Sequence, residues 1–327
     1  MVFLYLLILI IGFAALVKGA DLFVDGSSAL ARIFRVPAMV IGLTIVALGT
    51  SAPEFAVSTV AAANGSNEIA MSNVVGSNLF NLLVVLGSCA ALKALPVRSS
   101  ILKTDFPVSV LPTAVLLFLL GGASLLSGKL LSTPMAETVG TVTRPVGIGL
   151  ILVYAVYLFC LIRSARKNRR KEEDHFGYKY STRKCAALIL AGFVLIVAGG
   201  QAVVESAKRL AAALGMTETL IGLTVVSLGT SLPELVTSVV ASRKGETELA
   251  VGNVLGSNIF NMLMITGVSA VIHPVAVNAA CIWDMLILLV LTAMSWVFGI
   301  TARKINRVEG FVMCLSYVGV LVFAILR

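Results

Sequence analysis

A segment of this chain occurs twice. Gly42 to Gly87 reads GLTIVALGTSAPEFAVSTVAAANGSNEIAMSNVVGSNLFNLLVVLG, and Gly222 to Gly267 reads GLTVVSLGTSLPELVTSVVASRKGETELAVGNVLGSNIFNMLMITG, aligned without a gap at an offset of 180 residues. The offset pairs Glu54 with Glu234, Thr50 with Thr230, Ser77 with Ser257 and Asn81 with Asn261. Any fold must accommodate the same unit twice. The shared positions include a carboxylate, hydroxyls and an amide inside otherwise apolar sequence, a costly choice in lipid that marks functional positions. Together they point to a site for a hard cation.

With 58% hydrophobic and 13% charged residues among 327, and a mean hydropathy of +1.01, the chain reads as an all-α polytopic membrane protein. Its apolar segments sort into about ten transmembrane helices. Residues 1–165 would hold Phe3 to Ile33, Ala38 to Ala63, Ile69 to Leu92, Leu102 to Leu120 and Pro145 to Ile162. Residues 166–184 form a linker, and residues 185–327 would hold Cys185 to Leu214, Thr219 to Ser242, Leu249 to Ile272, Cys281 to Gly299 and Val308 to Leu326. The first segment lacks the basic start of a signal peptide and runs on through Gly19 and Asp21, so it is read as retained.

Basic residues cluster in alternate loops: Arg32 and Arg35; Lys93, Arg98 and Lys103; the run from Arg163 to Lys184; Arg243 and Lys244; Arg303, Lys304 and Arg307. The positive-inside rule makes these loops cytoplasmic, including the 163–184 linker, and puts both termini outside in a cell (inner) membrane. Five helices per repeat is an odd number, so the second copy enters upside down. The result is two inverted five-helix repeats, an arrangement typical of secondary transporters. The net charge of +9 is densest beside a membrane helix, which reflects topology and contact with membrane lipids rather than nucleic acid.

In LGTSAPE, Pro53 lacks the N–H that would bond the carbonyl of Gly49, and its ring crowds that carbonyl, so the helix should kink there. Gly229 and Pro233 repeat the break. Broken membrane helices occur where they line a buried or wet cavity, and a matched pair is a pointer to a transport site. Thr50 and Glu54 share a helix face with Ser51 beside them, while Asn73, Ser77 and Asn81 form an i, i+4, i+8 stripe. Asn253, Ser257 and Asn261 repeat that stripe, and Gly76 and Gly256 should admit a neighbouring helix closely. The pooled donors are all oxygen, the ligand set of calcium or, with fewer charges, sodium. Ser, Thr and Asn alone could be interhelical glue. The carboxylates decide against that, because no basic residue lies at their depth to pair with them.

The remaining polar residues carry less. Asp21, Asp25, Glu205, Asp105 and Asp284 are expected at interfaces or in salt bridges. The five cysteines, Cys89, Cys160, Cys185, Cys281 and Cys314, have no metal-ligand spacing and read as packing residues. His175 and His273 fall in loops, which argues against a zinc hydrolase.

The paired G-T-S-x-P-E and G-S-N-x-F-N motifs closely resemble the alpha repeats of the sodium/calcium exchanger family, within the calcium/cation antiporter superfamily. The resemblance spans both repeats, 42–87 and 222–267, and the whole helical layout. It implies a core of the second, third, seventh and eighth helices, crossed by long tilted first and sixth helices. It also implies that Glu54 and Glu234 bridge calcium and alternately sodium. Thr50, Ser51, Thr230 and Ser231 would supply hydroxyl or carbonyl oxygens, Ala47 and Ser227 backbone carbonyls, and Ser77 and Ser257 hydroxyls. Asn81 and Asn261 would occupy the middle corner. Some relatives place an aspartate in the second G-S-N-x-x-D motif, so Asn261 leaves this chain one formal negative charge short.

The resemblance implies a secondary antiporter that exchanges sodium for calcium by alternating access and exports calcium from a prokaryotic cytoplasm. It needs no cofactor and no obligate protein partner. Two carboxylates neutralise one calcium or two sodium ions, whereas the empty site keeps its charge and is costly to move, which enforces exchange. A third sodium would make transport electrogenic, each net charge coupling to about 2.3 kcal/mol per 100 mV. Proton/calcium exchange is the alternative within the superfamily, since glutamates titrate. A passive cation channel would ordinarily build its filter from several subunits rather than an inverted repeat, and an intramembrane enzyme would need a nucleophile and base that the sequence lacks.

Overall fold

The computed structural model describes residues 2–167, 180–214 and 227–326, and they are overwhelmingly helical. The first repeat contains α1 (Val2–Ile33), α2 (Ala38–Thr50), α3 (Ala52–Ala63), α4 (Ile69–Leu92), α5 (Ile101–Gly122) and α6 (Arg144–Lys167). The second contains α7 (Thr182–Ala213), the short α8 (Ser227–Gly229), α9 (Leu232–Arg243), α10 (Thr247–Ile272), α11 (Ala279–Ala302) and α12 (Arg307–Leu326). Among the described residues, eight helices are long and apolar enough to cross a membrane. The α2–α3 pair, bent by 51° at its break, makes a ninth. The expected span from Thr219 to Ser242 is described only from Ser227, its start lying outside the described residues, as do residues 168–179 of the linker.

The chain divides into two compact units, residues 1–53 with 160–256 and residues 54–159 with 257–327, and each draws on both repeats. In the first unit, α1 and α7 lie side by side. Gly12 meets the backbone of Gly199 and Val203, Gly19 that of Gly192 and Ile196, and Gly26 the carbonyl of Cys185. Rising numbers on one helix meet falling numbers on the other, so these equivalent first helices run antiparallel, as an inverted duplication requires. Each has 32 residues. At 1.5 Å per residue that is about 48 Å, longer than a bilayer core and enough to cross it at a tilt. In the same unit Gly42 and Gly252 bring α2 and α10 backbone to backbone, and Gly256 meets Leu43 and Ala47. That bears out the close approach expected at Gly256. A Cβ at Gly76 would meet nothing within 4 Å among the described residues, and the second-copy counterpart of Leu43, Leu223, lies outside them.

The second unit repeats the two-fold logic. Gly87 of α4 packs against Gly310 of α12, and Gly267 of α10 packs against Gly147 of α6. Asn78 Nδ2 donates to the carbonyl of Asn258 at 3.2 Å, and Asn258 Nδ2 donates to the carbonyl of Asn78 at 3.2 Å. These residues are 180 apart, so the bonds are one interaction seen from both repeats.

Short strands were not expected from the sequence. β1 (Leu95–Pro96) pairs antiparallel with β4 (Lys304–Ile305), and β2 (Thr138–Val142) with β3 (Val275–Asn278). Each clip joins loops of opposite repeats and satisfies backbone groups where helices end.

Candidate cation site

The predicted kinks hold. Thr50 closes α2, Ser51 sits in the turn, and Glu54 is the third residue of α3. Thr230 and Ser231 separate α8 from α9, and Glu234 is the third residue of α9. Both carboxylates therefore lie in a first helical turn, where unbonded N–H groups favour negative charge. Both are fully buried, with 0% exposure.

In the first unit, Ser51 Oγ donates to Glu234 Oε1 at 2.8 Å, joining the broken helices of opposite repeats. Thr50 Oγ1 donates to Asn253 Oδ1 at 3.0 Å, and Asn253 Nδ2 donates to Ser238 Oγ at 2.9 Å. The carbonyl of Ala47 accepts the Ser51 N–H at 3.0 Å, with the Thr50 hydroxyl 3.5 Å away. Ser227, the other expected carbonyl donor, is the first residue of α8.

In the second unit, Ser77 Oγ donates to Glu54 Oε1 at 3.4 Å. Asn261 Nδ2 donates to Ser77 Oγ at 3.1 Å and to Asn78 Oδ1 at 3.0 Å, and Asn81 Nδ2 lies 3.5 Å from Ser77 Oγ. With the amide nitrogens so engaged, the oxygens Asn81 Oδ1 and Asn261 Oδ1, together with Ser257 Oγ, are buried and find no hydrogen-bond partner among the described residues. A carboxylate, hydroxyls and amide oxygens brought together in this way form a hard-cation donor set.

Two features of this arrangement were not foreseen. Asn81 and Asn261 each open a π-helical turn, Asn81–Leu86 and Asn261–Ile265, a loosening that recurs at functional sites. Asn73 Nδ2 donates to Ser58 Oγ at 2.9 Å and to the Glu54 carbonyl at 3.3 Å, matching the Asn253–Ser238 bond of the other copy. The Asn–Ser pairs thus hold α3 on α4 in one unit and α9 on α10 in the other. The i, i+4 stripe had marked Asn73 and Asn253, but nothing local marked Ser58 and Ser238.

The weaker acids divide. Lys244 Nζ donates to Asp25 Oδ1 at 2.8 Å, to Asp21 Oδ1 at 2.9 Å and to the Asp21 carbonyl at 3.1 Å. Partial burial works against the Lys244 charge, but its hydrogen bonds to Asp25 and Asp21 outweigh that and hold its pKa above the ordinary lysine value. Glu205 pairs with Arg209 and Lys208. Asp105, expected at an interface or in a salt bridge, is buried and accepts the Tyr157 hydroxyl at 3.1 Å.

The family model described as sodium/calcium exchanger protein matches residues 4–163 and 184–326. The chain belongs to the sodium/calcium exchanger family. Similar exchanger relatives include the putative antiporter CaxA of Alkalimonas amylolytica, 37% identical over 95% of this chain and 95% of its own length. The sodium/calcium exchanger MaX1 of Methanosarcina acetivorans is 33% identical over 97% of each chain. Among solved structures, the sodium-calcium exchanger NCX_Mj soaked with 10 mM Na+ and zero Ca2+ superimposes with a TM-score of 0.81 at 27% identity, covering 100% of both chains. The exchanger fold expected from the repeats is therefore the fold of this chain.

Proposed function

We propose that this membrane protein is a secondary antiporter exchanging sodium for calcium by alternating access, exporting calcium from the cytoplasm across the cell membrane. The observation that carries the reading is the burial of Glu54 and Glu234, each in the first turn after a helix break and each hydrogen-bonded by a hydroxyl that the duplicated motifs supply. Calcium and sodium are its cargo. In this reading the cargo ligands are Glu54, Glu234, Thr50, Thr230, Ser51, Ser231, Ser77, Ser257, Asn81 and Asn261, with the carbonyls of Ala47 and Ser227.

Calcium-45 uptake into proteoliposomes preloaded with sodium, potassium or protons tests the exchange directly. Sodium-loaded vesicles should accumulate calcium, and potassium-loaded vesicles should not. Uptake driven by protons alone would replace this reading with proton/calcium exchange.

The same proposal puts both termini outside and the linker inside. A single cysteine introduced at position 168, on a background lacking the native cysteines, should resist an impermeant thiol reagent in intact cells and react after permeabilisation. Labelling in intact cells would reverse the orientation.

A further inference from the structure

Several hydroxyls within these helices turn back on their own backbone. Thr59, Thr292, Ser295 and Ser316 each donate to the carbonyl four residues earlier, at 2.6–2.9 Å, the usual way to satisfy a hydroxyl in apolar surroundings. Ser27, Ser28, Ser257 and Ser269 find no such partner among the described residues, and on α9 neither do Thr237 and Ser242. The last two are 0% and 1% exposed. A buried hydroxyl in that state is destabilising unless something else satisfies it.

Their placement says what that could be. Thr237, Ser238 and Ser242 follow Glu234 by three, four and eight residues, so all four fall within an arc of about 140° on α9. Ser238 is linked through Asn253 to Thr50. Just past Ser242 the helix ends, and the Lys244 ammonium spends all three of its protons on Asp21 and Asp25 of α1. The line of hydroxyls thus starts at the buried Glu234 and ends two residues before Lys244, which pairs with the partly exposed Asp21 and Asp25. The fold does not require these hydroxyls, because the first copy carries Val57 and Ala62 at the matching positions.

We propose that Thr237 and Ser242 line the route by which cations reach Glu234 from the C-terminal end of α9, an approach with no hydroxyl equivalent in the first repeat. A hard cation gives up hydration water only where protein oxygens replace it, and a hydroxyl not engaged by its own backbone offers its lone pairs for that step. The inference rests on the cation-binding role proposed above for Glu234.

The test uses the full-length protein in right-side-out and everted vesicles, with apparent affinities for sodium and calcium measured at each membrane face. Thr237→Val, which keeps the shape and removes the hydroxyl, and Ser242→Ala should each weaken apparent affinity about five-fold, the scale of one hydrogen bond. The loss should appear only at the face reached by the α9 C-terminus. Thr237→Ser should restore it. Equal weakening at both faces, or none at either, overturns the route. A parent protein without sodium-dependent calcium flux would instead overturn the exchange reading. If the parent exchanges and Glu234→Gln silences it while Thr237→Val remains side-symmetric, only the route fails.

Discussion

Replacing Glu54 or Glu234 by glutamine lowers sodium-driven calcium flux by at least about 100-fold, because an uncompensated buried charge costs about 3–5 kcal/mol and each 1.4 kcal/mol is a factor of ten. The uncompensated charge here is that of the cargo. Two carboxylates balance one calcium, and with one left the loaded core carries a net positive charge through the membrane. Glutamine keeps the side chain's shape and an oxygen in place of Oε1, so the bonds donated by Ser51 to Glu234 and by Ser77 to Glu54 can persist and the protein should stay folded. The duplication adds a constraint, since Glu54 and Glu234 occupy the same position in the two copies and the losses should be of similar size. Glu205→Gln is the control: Glu205 is half exposed and, among the described residues, pairs with Lys208 and Arg209 of its own helix, so flux should be unchanged. Calcium-45 uptake into sodium-loaded proteoliposomes measures all three. A glutamine variant of either buried carboxylate with near-normal flux would sink the assignment.

The sequence disclosed the carboxylates and the helix breaks because their causes are local. Pro53 and Pro233 act on the turn preceding them, and a charged residue in an apolar run is visible without any partner. The 51° bend at Thr50–Ala52 is that local chemistry realised. Features that depend on a distant partner stayed hidden. The reciprocal Asn78–Asn258 bonds join residues 180 apart, and nothing around either asparagine separates a dyad contact from ordinary interhelical glue. The same holds for Asn253, whose partners Thr50 and Ser238 lie on two other helices, and for Asp105, which Tyr157 satisfies from α6. The π-helical turns at Asn81 and Asn261 escape for a different reason. Helix propensity does not distinguish a 13-atom hydrogen-bonded ring from a wider one, so a bulge set by tertiary contacts leaves no compositional trace. The strand clips are too short to build an alternating pattern.

Gly192→Ala should destabilise the protein even though alanine is the better helix former. In a helix interior, alanine is favoured over glycine by up to about 1 kcal/mol. At Gly192, however, a Cβ would lie 2.6 Å from the Phe23 amide nitrogen and 2.7 Å from the Gly19 carbonyl oxygen. These are backbone atoms of α1, and no rotamer change can withdraw them. Relief requires α1 and α7 to separate along a seam that Gly12, Gly199, Gly19 and Gly26 also draw close. Overpacking of this kind costs about 1–3 kcal/mol where neighbours can adjust, and more where backbone faces backbone, so the cost exceeds the gain in propensity. Gly149 on α6 supplies the opposite case, because its Cβ would meet nothing within 4 Å among the described residues. Gly149→Ala should therefore leave the thermal midpoint in detergent unchanged or raised, while Gly192→Ala lowers it and Gly192→Leu abolishes the folded, monodisperse species. If the two alanine variants have the same midpoint, the α1–α7 seam is not held at backbone contact, and the antiparallel packing described for these helices is wrong in its spacing.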